Sequence, residues 1–350
     1  MRCLPSTKVS LAQGRCLHDW HAEIVALRAF NYYLLQECDV LASDPSLSSN
    51  FVRRVERAQV FGTTSEHNRH PFVIQDDVKI YMYCSEAPCG DASMELIMAA
   101  QDDATPWEKP VYTDSNGLTG RGYFSELGVV RRKPARGDAP QTLSKSCTDK
   151  LSLKQCTSTL SCLPSLIIHP GNAYIDTLVL PSSQHVPEAT DRAFSHAGRM
   201  SSLRSSYTAE QWKDGYAFKP FQVIRTSVEF EHSRRAYPES TKTTGSNITA
   251  MWTPRHLEVL IGGSIQGNKQ FSVRGSSAVS KVKMWKQALA LCQKAQFDKV
   301  ESALANGTYA ELKASTLLGP RRRVKEDVYR GALKNWVRND QGNDFSLDEQ

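Results

Sequence analysis

The chain has 350 residues, 40% of them hydrophobic and 23% charged, with a formal net charge of +6. These are the proportions of a globular protein able to bury a sizeable core, and they exclude a disordered or fibrous chain. The sequence contains no apolar run of about 18 residues, so no membrane-spanning helix is expected, and residues 1–8 lack the apolar stretch of a secretory signal. An intracellular location, cytoplasmic or nuclear, follows as an expectation. Nine cysteines, an odd number at irregular spacing, do not form a disulfide framework by pattern; some are expected to be metal ligands and the rest small buried apolar groups. The positive charge is compatible with a polyanionic partner without specifying one.

The first element is a helix opening near His21, with Ile24, Leu27, Phe30 and Leu34 at three- and four-residue steps. A strand follows over 78–83, then a helix that opens near Cys89 and runs through Met98. Residues 101–141 are rich in Pro, Gly, Asp and Arg and read as loops with one strand at 127–130. Further β-rich runs lie at 165–180, 221–231 and 256–265, and helices are expected over 281–296 and 326–337. Strands mixed with helices predict an α/β layered fold around a mostly buried sheet. Trp20, Trp252 and Trp285 are expected in the core. No linker marks a domain boundary, and residues 1–350 are read as one domain.

Three short segments carry chemistry: Asp19-Trp20-His21-Ala22-Glu23, Ala87-Pro88-Cys89-Gly90-Asp91 and Lys145-Ser146-Cys147-Thr148-Asp149-Lys150. A catalytic zinc takes three nitrogen or sulfur ligands and keeps a fourth position for water. His21, Cys89 and Cys147 supply such a set. Glu23, two residues beyond His21, is placed to shuttle protons without ligating the metal. Zinc brings the pKa of its water to about 7, and the chemistry supported is attack at C6 of adenine or C4 of cytosine. The usual nucleobase-deaminase signature has two cysteines separated by two residues. Here the position three after Cys89 is Ala92, so the second cysteine must come from elsewhere.

That departure, together with His21-Ala22-Glu23, Pro88-Cys89-Gly90-Asp91, Gly120-Arg121-Gly122, Arg131-Arg132-Lys133, Gly137-Asp138, Ser146-Cys147-Thr148-Asp149-Lys150, Asp191-Arg192 and Trp336-Val337 with Asp344-Phe345, resembles the adenosine deaminases acting on RNA. Within that family it resembles the tRNA-specific branch, which acts on the adenosine immediately 3′ of the anticodon of tRNA-Ala. The resemblance implies a cytidine-deaminase-like fold, with a central mixed sheet flanked by helices, enlarged as in the catalytic domain of that family. It implies zinc, held by His21, Cys89 and Cys147, with Glu23 as the catalytic proton carrier. It also implies inositol hexakisphosphate buried in the core, because so many inward-facing cations require an anion.

The residues matching the family's polyphosphate ligands are Arg28, Lys150, Tyr309, Lys313, Trp336 and Asp344; Lys281, Lys283 and Arg321-Arg322-Arg323 are further candidates. A relay from polyphosphate to metal is implied through Lys150, Asp19 and Lys133. Gly137-Asp138 matches the loop that fills the space left by a flipped base. Two family arginines are replaced, by Leu27 and Leu153, with Lys154 as a substitute cation at the second. Relatives carry a further helix and strand ahead of Arg2-Cys3-Leu4-Pro5, which this chain is expected to lack.

An anticodon loop presents unstacked bases, which lowers the cost of reaching a buried metal site. The chain has no room beside the catalytic domain for a duplex-RNA-binding module, which favours tRNA, and it shows no sign of an obligatory protein partner. Two alternatives stay open at this level: a deaminase of another RNA or of free nucleosides, and an inactive RNA-binding relative. The intact Glu23 argues against the second.

Overall fold

His21 stands in extended backbone and hands its N–H to the Asp19 carboxylate, which starts the helix that the periodicity predicts: α1, Ala22–Ser43. The computed structural model of the chain describes residues 3–44, 46–55, 70–108, 118–120, 122–133, 139–203, 211–238, 241 and 246–348. Val25, Ala29, Leu34, Leu35, Cys38 and Leu41 form the buried stripe of α1, while Ile24, Leu27 and Phe30 are half-buried on its flanks. The helix is enclosed on more than one side. Even its polar Asn31 is buried, donating to the Thr159 carbonyl at 3.0 Å and accepting from the Ser161 N–H at 2.6 Å.

The class is α/β, as expected. Among the described residues the strands fall into several small sheets. Strand β1 (Val52–Arg54) pairs antiparallel with β2 (Phe72–Ile74), which pairs parallel with β6 (Ile168–His169). Strand β3 (Tyr81–Tyr83) runs parallel to β7 (Thr177–Pro181), and β7 to β8 (Gln222–Thr226). Strands β9 (Ile248–Thr253), β10 (His256–Ile261) and β11 (Ser264–Ile265) form an antiparallel meander. A two-stranded ladder joins β4 (Leu118–Thr119) and β5 (Arg131–Arg132).

Three expectations shift. The strand foreseen at 127–130 is a turn: Gly128 has φ +73° and gives its N–H to Asp91. The helix foreseen over 326–337 lies at Gly319–Arg330, with Pro320 in its first turn, where no N–H is needed, and Gly331 after its end. The helix at Cys147–Thr157 (α3) and the strand β9 add to the expected elements. Trp252, expected in the core, is 70% exposed on β9, whereas Trp20 and Trp285 are buried.

The largest core cluster joins α1, β1, β2 and β6 to the helix Lys281–Lys294 (α5, after α2 at Met94–Ala99 and α4 at Pro187–Phe194). Trp285 sits fully buried at its centre, with its ring N–H on the Leu304 carbonyl at 2.9 Å and Tyr309 and Phe345 against its ring. No helix among the described residues is long and apolar enough to cross a membrane. Trp285→Ala leaves a cavity that this many enclosing elements cannot close. We expect a loss of about 3–5 kcal/mol, read as a lower urea midpoint with an unchanged m-value.

Candidate active site

Asp19 lies in the turn before α1 and is 5% exposed. One carboxylate oxygen accepts the His21 main-chain N–H at 3.1 Å and contacts His21 Nδ1 at 2.8 Å. The other accepts from Lys133 Nζ at 2.9 Å, from Ser144 Oγ at 2.8 Å and from Lys150 Nζ. Burial opposes the charge on Asp19, but the Lys133 and Lys150 ammoniums outweigh it and hold the carboxyl well below the usual range. The ionised carboxylate fixes the His21 ring through Nδ1, which leaves Nε2 as the free ligand atom, the arrangement of a carboxylate-oriented metal histidine.

Cys147 is the first residue of α3, whose N-cap Ser146 accepts from the Asp149 N–H at 3.0 Å. Cys89 comes from the loop after β3, and this loop continues as a short 3-10 turn at Asp91–Ser93 before α2. The helix expected to open at Cys89 therefore begins later, and the second full helix end at the site belongs to Cys147. Gly90, at φ +110°, lets the loop lie directly on α3: a Cβ there would come within 2.3 Å of Ser146 Oγ. Thr148 clamps the approach, giving its N–H to the Cys89 carbonyl and its hydroxyl to the Pro88 carbonyl at 2.8 Å.

The two sulfurs consequently face each other. The Cys147 N–H points at Cys89 Sγ at 3.4 Å, and Lys133 Nζ lies 3.2 Å from Cys147 Sγ. The hydrogen bond from Cys147 holds the Cys89 thiol below its usual value and so favours the thiolate form. Glu23, half-buried on the first turn of α1, adds its negative charge at both cysteines.

This donor set suits zinc: one imidazole and two thiols, with an amide N–H and an ammonium favouring the thiolate form. Among the described residues the group whose ligand atoms all lie within 4.8 Å of one another is Cys3, Asp19 and His21, whereas His21, Cys89 and Cys147 do not form so tight a set. The tighter group suits a metal poorly. Asp19 is already neutralised by two ammoniums, and burial pushes the Cys3 thiol up to about 12. Cys3 lies on the Nδ1 side of the His21 ring, 3.7 Å away, and closes that side of the site.

Behind Lys150 lies a pocket of buried cations. Arg28 donates to the Val279 carbonyl, Lys281 to Asn343, and Arg321 to the carbonyls of Thr157 and Leu160. Lys281 also sits 5.3 Å over the Tyr309 ring. Among the described residues none of these three has a carboxylate within 4.0 Å; Lys313 has one, Asp340, at 3.6 Å. Burial and then the charges of Arg28 and Lys313 bring Lys281 down to about 7. His18 Nε2, among these cations, is buried with no hydrogen-bond partner among the described residues. Such a cluster is costly to bury without an opposite charge.

The structure thus brings together His21, Glu23, Cys89, Cys147, Asp19, Lys133 and Lys150, and gathers Arg28, Tyr309 and Lys313 into the pocket. Trp336 stacks on Tyr329 with centroids 5.0 Å apart, under Lys145. Asp344 is exposed, and Asp340 is the carboxylate beside Lys313. Gly137 and Asp138 lie outside the described residues, as do Arg121 and Arg136. Arg131 is buried and donates to the Tyr123 and Glu126 carbonyls, so it is unavailable to an outside phosphate. Sequence reasoning missed Arg199, which pairs with buried Asp149 at 2.7 Å, and Ser144 on Asp19. It quoted Asp191-Arg192 without foreseeing that Arg192 ties Asp91 to Glu95 beside Cys89.

Asp19→Asn removes the counter-charge of two buried ammoniums and is expected to cost about 3–5 kcal/mol. With its folded pKa depressed, Asp19 contributes stability present above its unfolded value near ~3.9 and lost as pH falls below it. Denaturation followed from pH 7 to pH 3 is therefore expected to lose part of its acid dependence in the variant.

The adenosine-deaminase (editase) domain family matches residues 1–340. The tRNA-specific adenosine deaminase 1 of Schizosaccharomyces pombe is 34% identical over 354 residues, covering 99% of this chain and 82% of the relative. The protein of the same name from Saccharomyces cerevisiae is 35% identical over 171 residues, 47% of this chain and 40% of the relative. The double-stranded RNA-specific editase Adar of Drosophila melanogaster is 27% identical over 201 residues, 55% of this chain and 27% of that protein. With the family match covering residues 1–340 and the fission-yeast relative aligned over 99% of the chain, the chain belongs to the adenosine-deaminase (editase) domain family.

Proposed function

We propose that the chain is a zinc-dependent hydrolase that deaminates adenosine to inosine in tRNA, at the adenosine immediately 3′ of the anticodon of tRNA-Ala. The observation that carries this reading is the placement of Glu23 on the first turn of α1, two residues from His21 and near enough to both cysteines for its charge to act on them. The choice of tRNA is supported by the names of the fission- and budding-yeast relatives and by the accessibility of loop bases. Residues 1–350 act as one deaminase domain on a cytidine-deaminase-like scaffold, inside the cell, in cytoplasm or nucleus.

His21, Cys89 and Cys147 would hold the zinc, which, when bound, makes water a nucleophile near neutral pH. Asp19 holds the His21 ring, and Lys133 screens the charge of Cys147. Glu23 takes a proton from the attacking water and delivers protons to N1 of the adenine and to the departing amino group. Adenosine and water thereby give inosine and ammonia.

Glu23→Gln is expected to lower inosine formation in an unmodified tRNA-Ala transcript by at least about a hundredfold while zinc per chain, measured by mass spectrometry, stays at the wild-type level. Wild-type turnover by the variant would remove Glu23 from the mechanism. No conversion by zinc-loaded wild type would remove the substrate.

Inositol hexakisphosphate fits the cationic pocket, with Arg28, Lys150, Tyr309, Lys313 and Trp336 as candidate ligands. The uncompensated ammonium of Lys281 and the partnerless His18 Nε2 support it. Without the anion, Lys281 titrates near 7 in the folded chain and near ~10.4 in the unfolded one. The unfolded state then binds more protons between those values, so anion-free protein should gain stability as pH rises from 7 towards 10. With the anion bound the lysine stays charged and this gain should disappear, which thermal unfolding across that range measures.

A further inference from the structure

Two family cations are replaced in this chain by Leu27 and Leu153, and the structure shows where those side chains go. Leu153 is 9% exposed and packs with Val130, Cys156 and Met200; Leu27 packs against the cluster around Leu151 and Leu178. Both have joined the apolar core.

Lys154, one residue further along α3 and therefore about 100° around the helix, turns the opposite way. Its ammonium donates to the carbonyls of Thr159 and Leu160, both at 2.8 Å. Arg321 donates to the same Leu160 carbonyl at 2.9 Å, so two cations from packed helices converge on one oxygen. Lys325 follows Arg321 by four residues on the helix Gly319–Arg330 and shares its face. Among the described residues neither Lys154 nor Lys325 has a carboxylate within 4.0 Å. The charges surrounding Lys154 are those of Arg321, Lys325 and Arg28, and those surrounding Lys325 include Arg321 and Lys313. Arg321 is buried and Lys154 and Lys325 are half-buried beside it, with main-chain carbonyls as the acceptors of the first two, so an anion between the three would relieve their mutual repulsion.

We propose that Lys154 and Lys325 are polyphosphate ligands of this chain, restoring on α3 and on the helix Gly319–Arg330 the charge absent at Leu27 and Leu153. The inference rests on reading the pocket as an inositol hexakisphosphate site. A phosphate bound there would be held by Lys154, Arg321 and Lys325 near the Leu160 carbonyl.

The test compares wild type with Lys154→Met, Lys325→Met and the corresponding arginine variants. Each chain is unfolded in guanidinium, freed of small molecules and refolded with zinc and graded inositol hexakisphosphate, and recovery of near-ultraviolet circular dichroism is followed. Phosphorus per chain is measured on the refolded product. Each methionine variant is expected to raise the half-maximal anion concentration by about tenfold or more, with the arginine variants within about threefold of wild type. A half-maximal concentration unchanged by Lys154→Met and Lys325→Met overturns the proposal. So does an equal shift in the methionine and arginine variants, which would mark a packing role. If methionine variants fail to refold at any concentration, glutamine variants replace them under the same criterion. A wild type whose recovery is independent of the anion concentration and that takes up no phosphorus when refolded with it refutes the underlying reading of the pocket instead.

Discussion

The Asp19 carboxylate is the interaction on which the other parts depend. It is buried, ionised, and shared between two ends of the molecule: one oxygen sets the start of α1 and the orientation of His21, the other collects Lys133, Lys150 and Ser144. Through Lys133 the same charge reaches Cys147, and through Lys150 it borders the cationic pocket. A buried carboxylate of this kind is unfavourable alone and favourable only with all of its partners in place. The turn at His21, Lys133 and Lys150 of α3 are consequently assembled as one electrostatic unit, although different segments supply them.

The site was more legible in the sequence than the fold. His21, Glu23, Cys89 and Cys147 stand in contiguous motifs whose residue types are dictated by coordination and proton transfer, and that chemistry leaves a local signature. The strands did not: β1, β2 and β6 are three residues long or shorter, too short for alternation to register. Strand β9 is readable only once its partner β10 is known, since its outer face carries exposed Ile248 and Trp252. The helix Tyr309–Ala314 carried a readable signal that went unused, the capping box between Thr308 and Glu311.

The cationic pocket shows the limit of reading charges in one dimension. Arg321, Arg322 and Arg323 are adjacent, yet the first is 7% exposed and donates into the core, the second caps the carbonyls of Lys313 and Ser315, and the third is exposed. Lys325 in isolation is indistinguishable from a solvated helix lysine. Likewise Asp340 and Asp344 are equivalent by composition, and only the path of the chain puts the former near Lys313. Burial of a charge is decided by tertiary neighbours, which a single sequence does not display.

The aromatic stack of Trp285, Tyr309 and Phe345 has a temporal meaning. Phe345 lies where a Cβ on Gly14 would sit 2.3 Å from its ring, and Lys281 reaches Asn343 beside it. The walls of the pocket therefore come from both extremes of the chain, over three hundred residues apart in order of synthesis. During translation α1 and α3 emerge with their cations long before the segment that encloses them. The core around Trp285 cannot close until residues near 345 have left the ribosome, so the packing of α1 against it waits on a segment made long afterwards.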